Sequence, residues 1–504
     1  MIKFNLIEAI PFTTVYDAYG TPGTGVQNTE NDPFIPETWA NESIAILIEN
    51  MVAANLVHRD FDALVARYGD VINTRKPSEF TAKRKVDYDD VTVQEPEATN
   101  VQVKLNQHFH VSFMIKDGED SMSFKDLVSE YLEPAVVAIA QAVDRVILGQ
   151  HAQFLMANTY TAGKLGLLSS STAKDYILDT RKVMNDQKCP MSGRNFVIGS
   201  GAETDILKAD DFTSAEKVGD DGTALREASL GFKLGFNFFM DQNMSDVSNT
   251  DIGTAGDINN GNIVAGTTSI TMTDSSVTAV GDMITVAGDM TPQLVTAVNG
   301  TTHAVTISPG LKYAIADAAV VTVYDGGLIH QTTQTIAAGA LSTSDTGYRV
   351  GWYGDIIIDN LQTNTAISVG DIVRITTGAS GDSVITAGDL YTVIEVVLAS
   401  TTNTVTIRVD RPLDTLVADD AYVSFFPSGS YNFAFHRNAI AFVSRPLALP
   451  RSGTGALAAV VNYDGIGLRV RITYDGTKQG HLVTVDLLCG VAVLDKQYGA
   501  VMYG

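Results

Sequence analysis

Residues 123–149 have the sequence SFKDLVSEYLEPAVVAIAQAVDRVILG, the longest run of helical periodicity in the chain. Ser123 and Asp126 have the spacing of an N-terminal capping box. The apolar positions that follow share one helical face: Leu127, Tyr131, Ala135, Ile139, Ala142, Val143, Val146 and Ile147. The pattern predicts a rod of about 30 residues and ~45 Å. Pro134 predicts a kink in this rod, because proline lacks a backbone donor and clashes with the preceding turn.

Length and charge limit what the protein can be. The 504 residues are enough for about three structural units, and 45% hydrophobic with 18% charged residues is an ordinary globular balance. Lys and Arg total 34 against 58 Asp and Glu, a net charge of −24, so the surface should repel DNA. Sequence-specific DNA binding is therefore disfavoured.

Cysteine usage and targeting signals point to the cytosol. Cys189 and Cys489 are far apart in sequence, and neither belongs to a C-x-x-C pair that would suggest zinc or redox chemistry. The first residues do not have the pattern of a secretory signal, and no stretch approaches the ~20 apolar residues needed to span a bilayer. We expect a protein that is made in the cytosol without export and has no membrane partner.

Upstream of the rod the chain divides into three segments. Residues 1–37, rich in Thr, Gly, Pro and Asn, predict an extended arm; residues 38–70 begin with an amphipathic helix that ends near Leu56; residues 71–107 predict a long projecting hairpin. The hairpin has a basic group, Arg75, Lys76, Lys83, Arg84 and Lys85, followed by an acidic group that includes Asp87, Asp89 and Asp90. Two interpretations stay open: a solvated hairpin with weak internal ion pairs, or a contact with another subunit.

Downstream, residues 108–166 contain the rod, and residues 167–244 alternate helical and strand patterns. Residues 245–429 are rich in Thr, Val, Ala and Gly in short alternating runs, which predicts an all-β insertion. Residues 430–504 alternate as strands again and include a hairpin around Asp475–Gly480. The last segment should therefore rejoin the domain that precedes the insertion, and the fold class is predicted to be α+β.

The insertion contains an internal repeat, at about 279–324 and 368–424. VGDMI at 280–284 returns as VGDIV at 369–373, and VTI at 305–307 returns as VTI at 405–407. Leu311 with Ala316 and Asp317 returns as Leu413 with Ala418 and Asp419. Three blocks in the same order, at spacings of 89, 100 and 102, predict the duplication of a small β-barrel.

Motifs that could carry chemistry are weak. His58-Arg59-Asp60-Phe61 resembles the start of a kinase catalytic loop, but no Gly-rich loop or D-F-G accompanies it. His108 and His110 share one strand face without a third ligand at a matching spacing, which favours a structural pair. Walker, Rossmann and G-x-S-x-G patterns are missing. The sequence thus predicts no catalytic, cofactor or metal site, and a protein that is not an enzyme.

Several short segments, in order, resemble the major capsid proteins of tailed double-stranded-DNA bacteriophages, of the short-tailed-phage type. They are FIPE at 34–37 with Trp39, ANLVHRDF at 54–61, GDVINTRKP at 69–77, AVDRVILG at 142–149, AFHRNA at 434–439 and GLRVR at 467–471. The resemblance covers roughly residues 34–245 and 430–495. It implies the Hong Kong 97-type capsid fold, with an N-terminal arm (1–37), an extended loop (71–107), a peripheral domain with a long spine helix (108–166), and an axial domain (167–244 and 430–504).

The function that this resemblance implies is mechanical. Many copies would form hexamers and pentamers in an icosahedral shell in the virion, assembled in the host bacterial cytoplasm with a scaffolding protein, a portal protein and sometimes a decoration protein. The shell would enclose DNA without sequence specificity, and the charged hairpin would lie across a neighbouring subunit. Some relatives link a loop lysine covalently to a neighbour's asparagine, and Lys83 and Lys85 are candidates by position.

The resemblance leaves the role of the insertion open. Such capsid proteins often carry one inserted β-barrel, whereas this chain has two related copies, which could act as a folding nucleus or as an outer decoration. Two other functions compete with the capsid interpretation. A β-repeat adhesin or surface-layer protein is favoured only by the composition of residues 245–429, and the missing export signal disfavours it. A cytosolic enzyme is disfavoured by the missing catalytic spacings.

Overall fold

The computed structural model describes residues 36–59, 71–76, 82–85, 90, 93–94, 99–117, 131–157, 172–214, 227–247, 251–329, 347–361, 367–379, 389–398, 404–451, 456–463 and 466–503. The elements before the β insertion are α1 (Pro36–Asn50), α2 (Ala53–Leu56), β1 (Val71–Lys76), β2 (Thr99–Lys104), β3 (Gln107–Lys116), α3 (Glu133–Gly149), α4 (His151–Ala157), α5 (Ala173–Asp186), β4 (Arg194–Ile198), α6 (Ser200–Lys208), α7 (Asp210–Thr213), β5 (Phe232–Lys233), β6 (Phe236–Met240) and β7 (Asp246–Val247).

The insertion contains strands only, among the residues described there. They are β8 (Asp251–Asp257), β9 (Ser269–Thr271), β10 (Met283–Val286), β11 (Asp289–Asn299), β12 (Ala304–Ser308), β13 (Val320–Tyr324), β14 (Gly326–Ile329), β15 (Gly347–Tyr348), β16 (Ile356–Asp359), β17 (Ile372–Ala379), β18 (Asp389–Leu398), β19 (Val405–Val409), β20 (Val417–Ala418) and β21 (Ala421–Phe425). After it come β22 (Gly429–His436), β23 (Ile440–Arg445), β24 (Leu457–Tyr463), β25 (Ile466–Asp475), β26 (Gly480–Val493) and β27 (Gly499–Tyr503), with short 3-10 helices at Arg437–Ala439 and Lys496–Tyr498. The chain is α+β, as predicted.

The predicted long rod is divided in the structure. Helix α3 begins at Glu133 with Pro134 in its first turn, and Tyr131 and Leu132 directly before it are π-helical, so the kink at Pro134 stays a prediction. The helix ends at Gly149 after 17 residues, about 26 Å. Gln150 then turns the chain into the separate helix α4. The predicted start at Ser123 lies outside the described residues.

The main hydrophobic core lies between α3 and a five-stranded sheet. One face of α3 is buried, including Val136, Ile139 and Val143, and it packs in the same cluster as Trp39 of α1 and Val485 of β26. Burial of each such side chain contributes about 1.5–3 kcal/mol relative to exposure. The apolar period read from the sequence therefore corresponds to the face that meets the sheet.

Strand β26 organises this five-stranded sheet. The strands of the sheet follow the order β23-β26-β25-β24, and β3 also pairs with β26. The antiparallel β3–β26 ladder runs from Gly480 opposite Lys116 to Cys489 opposite Gln107. Strands β25 and β26 form the hairpin predicted around Asp475–Gly480, with these two residues paired. A strand from the first quarter of the chain is thus held by one from the last.

A second sheet, of order β27-β22-β4-β6-β5, also combines both ends of the chain. It shares a core with α5 and α6 that includes Phe196, Phe236 and Ile177. Strand β7 pairs with the start of β22, with Val247 opposite Gly429. The chain therefore leaves this sheet and returns to it at neighbouring points, and the β strands between them form an insertion.

The insertion folds as two β modules with one strand order. The first β module (251–324) is a sheet of order β8-β13-β10-β11-β12-β9, and the second β module (326–425) is a closed barrel in which β14-β21-β17-β18-β19-β16 takes the same path. Each has its own core, with Ile284 and Val323 in the first and Val373 and Phe425 in the second.

Strand register corrects one part of the predicted repeat. Val295 pairs with Ile307 in the first module and Val393 with Val409 in the second, and each pair is followed by a β-bulge. Ile307 therefore corresponds to Val409, at a spacing of 102 rather than the predicted 100. The predicted match of residues 305–307 with residues 405–407 is two residues out of register. Side chains in a strand alternate with a period of two, so two alternating segments can be aligned at any even shift.

The Val-Gly-Asp turn is the same in both modules. Gly281 has φ +99° and donates its N–H to the Val295 carbonyl, and Gly370 has φ +102° and donates to the Val393 carbonyl. Both backbone conformations favour glycine. Their surroundings differ, because a Cβ on Gly281 would lie 2.5 Å from Tyr422 Cδ1, whereas one on Gly370 would have its nearest contact at 3.5 Å.

This pair allows backbone strain to be separated from steric clash. We expect Gly370→Ala to cost roughly 1–2 kcal/mol for the left-handed backbone alone. Gly281→Ala should cost roughly 1–3 kcal/mol more, since the new methyl group must displace Tyr422 from the contact between the modules. Thermal unfolding of the two variants measures the difference. Equal losses of stability would show that the Gly281–Tyr422 approach has no energetic effect.

Candidate interaction surfaces

The charged hairpin is built on strands β1 and β2. They pair antiparallel, from Val71 opposite Lys104 to Lys76 opposite Thr99. This places Arg75 and Lys76 at the end of β1, facing Asn100 and Thr99. The connecting segment 77–98 contains the other charged residues predicted to make contacts.

Where these residues are described, they are exposed. Lys83, Arg84, Lys85 and Asp90 all lie at the surface, and no described residue forms an ion pair with the three basic side chains. Asp87 and Asp89 lie outside the described residues. The cluster Lys83-Arg84-Lys85 is accordingly available to an acidic surface, and its intersubunit role stays a prediction.

The base of the hairpin is attached to the five-stranded sheet. Val103 of β2 is fully buried with Ala441 and Val443 of β23. A Cβ on Gly490 would lie 2.2 Å from the Lys104 carbonyl oxygen, so only glycine allows β2 to approach β26 this closely. Side-chain packing therefore fixes one end of the hairpin.

A cleft of about 380 Å³ lies beside this attachment, between β2, the turn after α3, the second β module and β26. Its lining mixes apolar and polar side chains, and the polar ones include Lys104, Asn106, Gln150, Gln153, Arg411 and Asp414. Arg411 is already paired with Asp414, at 3.1 Å from Nε to Oδ2. The cleft therefore offers amide groups and Lys104 rather than an unpaired guanidinium.

One of the two strand histidines, His108, contacts an acidic neighbour. His108 Nε2 lies 3.5 Å from Asp486 Oδ1, and the His108 and His110 rings are 6.1 Å apart. Asp486 is buried and accepts a hydrogen bond from Arg469 Nε at 3.0 Å. Among the described residues, no three His, Cys, Asp or Glu side chains converge on a point that could hold a metal ion. This arrangement is typical of cross-strand pairing.

His58 has a backbone role. Its N–H donates to the Ile440 carbonyl at 3.0 Å, and its carbonyl accepts from the Phe442 N–H at 2.9 Å. His58, the first residue of the kinase-like motif, is thus hydrogen-bonded to β23, and Asp60 and Phe61 lie outside the described residues. No helix in the described part of the chain is long and apolar enough to cross a membrane.

The sequence patterns did not predict the buried carboxyl group of Asp144 in α3. Its Oδ2 accepts the Val52 N–H at 2.8 Å and its Oδ1 accepts the Ala54 N–H at 3.1 Å. The predicted helix from residue 38 to Leu56 is therefore two helices, because Asp144 binds donors at the break between them. One sequence signal could have identified this group: an aspartate on the apolar face of a helix is rarely buried unless it has a partner.

Burial and the nearby Asp241 carboxylate raise the pKa of Asp144 to about 7. Asp241 is itself buried, and its Oδ2 has no hydrogen-bond partner among the described residues. Two buried carboxyl groups that interact electrostatically disfavour two negative charges. Asp144 therefore keeps a proton at a pH where an exposed aspartate has lost it.

Comparison with known proteins gives structural neighbours only. No protein-family model matches the sequence, and no curated protein matches it. The structure is similar to one from Mycobacterium phage Che8, with 13% identity, 90% of each chain covered and a TM-score of 0.42. It is also similar to the capsid structure of cyanophage P-SCSP1u, with 9% identity, 86% of this chain and 84% of that chain covered, and a TM-score of 0.39. For the mature capsid of bacteriophage PhiM1 the identity is 8%, the coverage is 86% of this chain and 82% of that chain, and the TM-score is 0.37. Overlap at this level is too loose to assign a fold or a function by itself.

The raised pKa of Asp144 gives a pH dependence of defined sign. Between about pH 4 and pH 7 the folded protein holds a proton that the unfolded chain has released, so this group's contribution to stability falls as pH rises. Asp144→Asn removes the titration. The free energy of unfolding of wild type minus that of the variant should therefore decrease by roughly 2–3 kcal/mol from pH 5 to pH 8. Denaturant unfolding across this range measures the difference.

The exposed Asp210→Asn is the matched control for the loss of one carboxylate. Its difference from wild type should stay nearly constant across the same range. The buried proton would be contradicted if the free energy of unfolding of wild type minus that of Asp144→Asn stayed constant or increased with pH.

Proposed function

We propose that this chain is the major capsid protein of a tailed double-stranded-DNA bacteriophage, of the short-tailed-phage type. The sequence resemblance supports it, because its six short segments occur in the family's order over most of the chain outside the insertion. The role is structural and non-catalytic. In this proposal the fold is of the Hong Kong 97 type, and each subunit occupies a hexamer or a pentamer of an icosahedral shell.

The observation that carries the proposal is an exposed basic cluster after a strand pair, β1 and β2, that is anchored on a core to which both ends of the chain contribute. The hairpin is anchored at Val103 and exposes Lys83, Arg84 and Lys85 at the surface. A long charged segment costs conformational entropy to order and buries little within its own subunit. Such a segment is stable when a neighbouring copy provides the missing contacts.

Charge supports the same function. The net charge of −24 offers acidic surface to the basic hairpin of a neighbour and keeps an inner wall from binding packaged DNA tightly. Ion pairs of this kind set register and orientation more than net affinity. The proposed partners are further copies of this chain, a scaffolding protein, a portal protein, a possible decoration protein and DNA bound without sequence specificity. Assembly takes place in the host cytoplasm and the product is the virion capsid.

The direct experiment is expression in a bacterial cytosol, alone and with candidate scaffolding proteins, followed by sedimentation and negative-stain microscopy. Closed or aberrant shells are the expected result. A stable monomer or small oligomer under both conditions would contradict the capsid function.

The hairpin's role is tested by replacing Lys83, Arg84 and Lys85 together with glutamine. These side chains are exposed, so the monomer should keep its thermal stability while the yield of particles falls. Circular dichroism and sedimentation of the same preparation separate the two effects.

A matched control removes three positive charges elsewhere, at the exposed Lys182, Lys188 and Lys478. If only net charge matters, both triple variants should reduce particle yield alike. Unchanged yield in the hairpin variant would contradict an intersubunit contact at this site.

A further inference from the structure

The two β modules share one strand order, and buried polar groups join the second module to the helical core. Asp410, at the end of β19, is fully buried. Its Oδ1 accepts the Thr392 N–H at 2.8 Å, and its Oδ2 accepts Gln150 Nε2 at 2.8 Å and Arg411 at 3.4 Å. One carboxylate thus connects the barrel to the turn between α3 and α4.

Further hydrogen bonds join the same place to two other segments. The Thr392 hydroxyl donates to the Gly149 carbonyl at 2.9 Å, and Gln107 Nε2 donates to the Asp410 carbonyl at 2.7 Å. Gln107 is the first residue of β3, directly after the base of the hairpin. We call Gln107, Gly149, Gln150, Thr392, Asp410 and Arg411 the Asp410 cluster.

The cluster lies where the predicted helix is broken. Local sequence favours continuation, since residues 135–157 contain no proline and the apolar period extends to Leu155. In a continuous helix the Gly149 carbonyl would accept the N–H of Gln153. Here it accepts Thr392, and the Gln153 N–H bonds to Gln150 instead, at 3.0 Å. Contact with the second module therefore replaces the helical hydrogen bond at the break.

The first module serves as an internal comparison. By strand register Thr392 corresponds to Leu294 and Asp410 to Ser308, since Leu294 pairs with Ser308 and the Asp410 N–H bonds to the Thr392 carbonyl. The first module has the same strand order with leucine and serine at these positions. The polar groups are thus not required by the module's fold, and their contacts outside it are what distinguish the second module.

We propose that the Asp410 cluster is a conformational latch that couples the second β module, the α3–α4 break and the base of the hairpin. While it is closed, these three parts move as one unit, and the first module follows because Tyr422 and Ser424 of the second module contact Gly281. When it opens, the barrel stays folded, while α4 and the start of β3 lose their shared support.

The test is hydrogen exchange on the full chain, with Thr392→Val and Asp410→Asn as variants of nearly unchanged shape. Each removes at least one buried hydrogen bond, so amides of α4 and of residues 105–108 should exchange about tenfold faster than in wild type. Amides of β17, β18 and β19 should keep their wild-type rates. Because both residues act through one latch, the double variant should exchange little faster than either single variant.

Ser308→Ala, at the position in the first module that corresponds to Asp410, is the matched control and should leave α4 exchange unchanged. Unchanged α4 exchange in both latch variants would overturn the proposal. So would loss of protection throughout the second module, which would make Asp410 a residue of the barrel's own fold. Rate increases that multiply in the double variant would show independent contacts rather than one latch.

Discussion

The pairing of β26 with β3 is the constraint on which the rest of the molecule depends. It joins residues 107–116 to residues 480–489 and forms the sheet on which α3 packs. The second sheet repeats the constraint, with β22 and β27 from the end of the chain beside β4. Contacts of such large sequence separation cost loop-closure entropy that only extensive apolar burial offsets. The core therefore forms only when both ends of the chain have met.

This constraint explains how the chain accommodates nearly 180 residues of inserted β structure. Because β7 and β22 are neighbours, the insertion leaves and rejoins the sheet without separating its strands. The two modules are attached to the rest of the molecule by different contacts. The second is bound to the end of α3 and the turn after it by polar groups and to the core by apolar ones such as Ile372 and Phe426, while Met283 and Leu294 of the first extend that apolar cluster. Two copies of one fold thus have different surroundings.

Buried carboxyl groups recur where separate segments meet. Asp144 binds the backbone between α1 and α2, Asp282 accepts the N–H groups of Ala279 and Gly326, and Asp410 binds the turn after α3. Burial raises the pKa of each, to about 7 for Asp144 and Asp282. A buried carboxyl is costly unless hydrogen bonds compensate it. These groups specify geometry more than they add stability, and each acts only in the assembled fold.

Local pattern was sufficient for much of this protein. The α+β class, the face of α3, the C-terminal hairpin and the Val-Gly-Asp turns follow from apolar period and glycine placement, which act within a few residues. The features that the sequence could not determine depend on contacts with residues far away in the chain. Helix α3 ends at Gly149 because Thr392 and Asp410 contact the turn, and α1 separates from α2 where Asp144 binds Val52 and Ala54. The register of the repeat was likewise settled by strand pairing. At Gly149 and at the break between α1 and α2, a hydrogen bond from far along the chain outweighed a local preference of about 1 kcal/mol, and only the tertiary structure brings that partner into place.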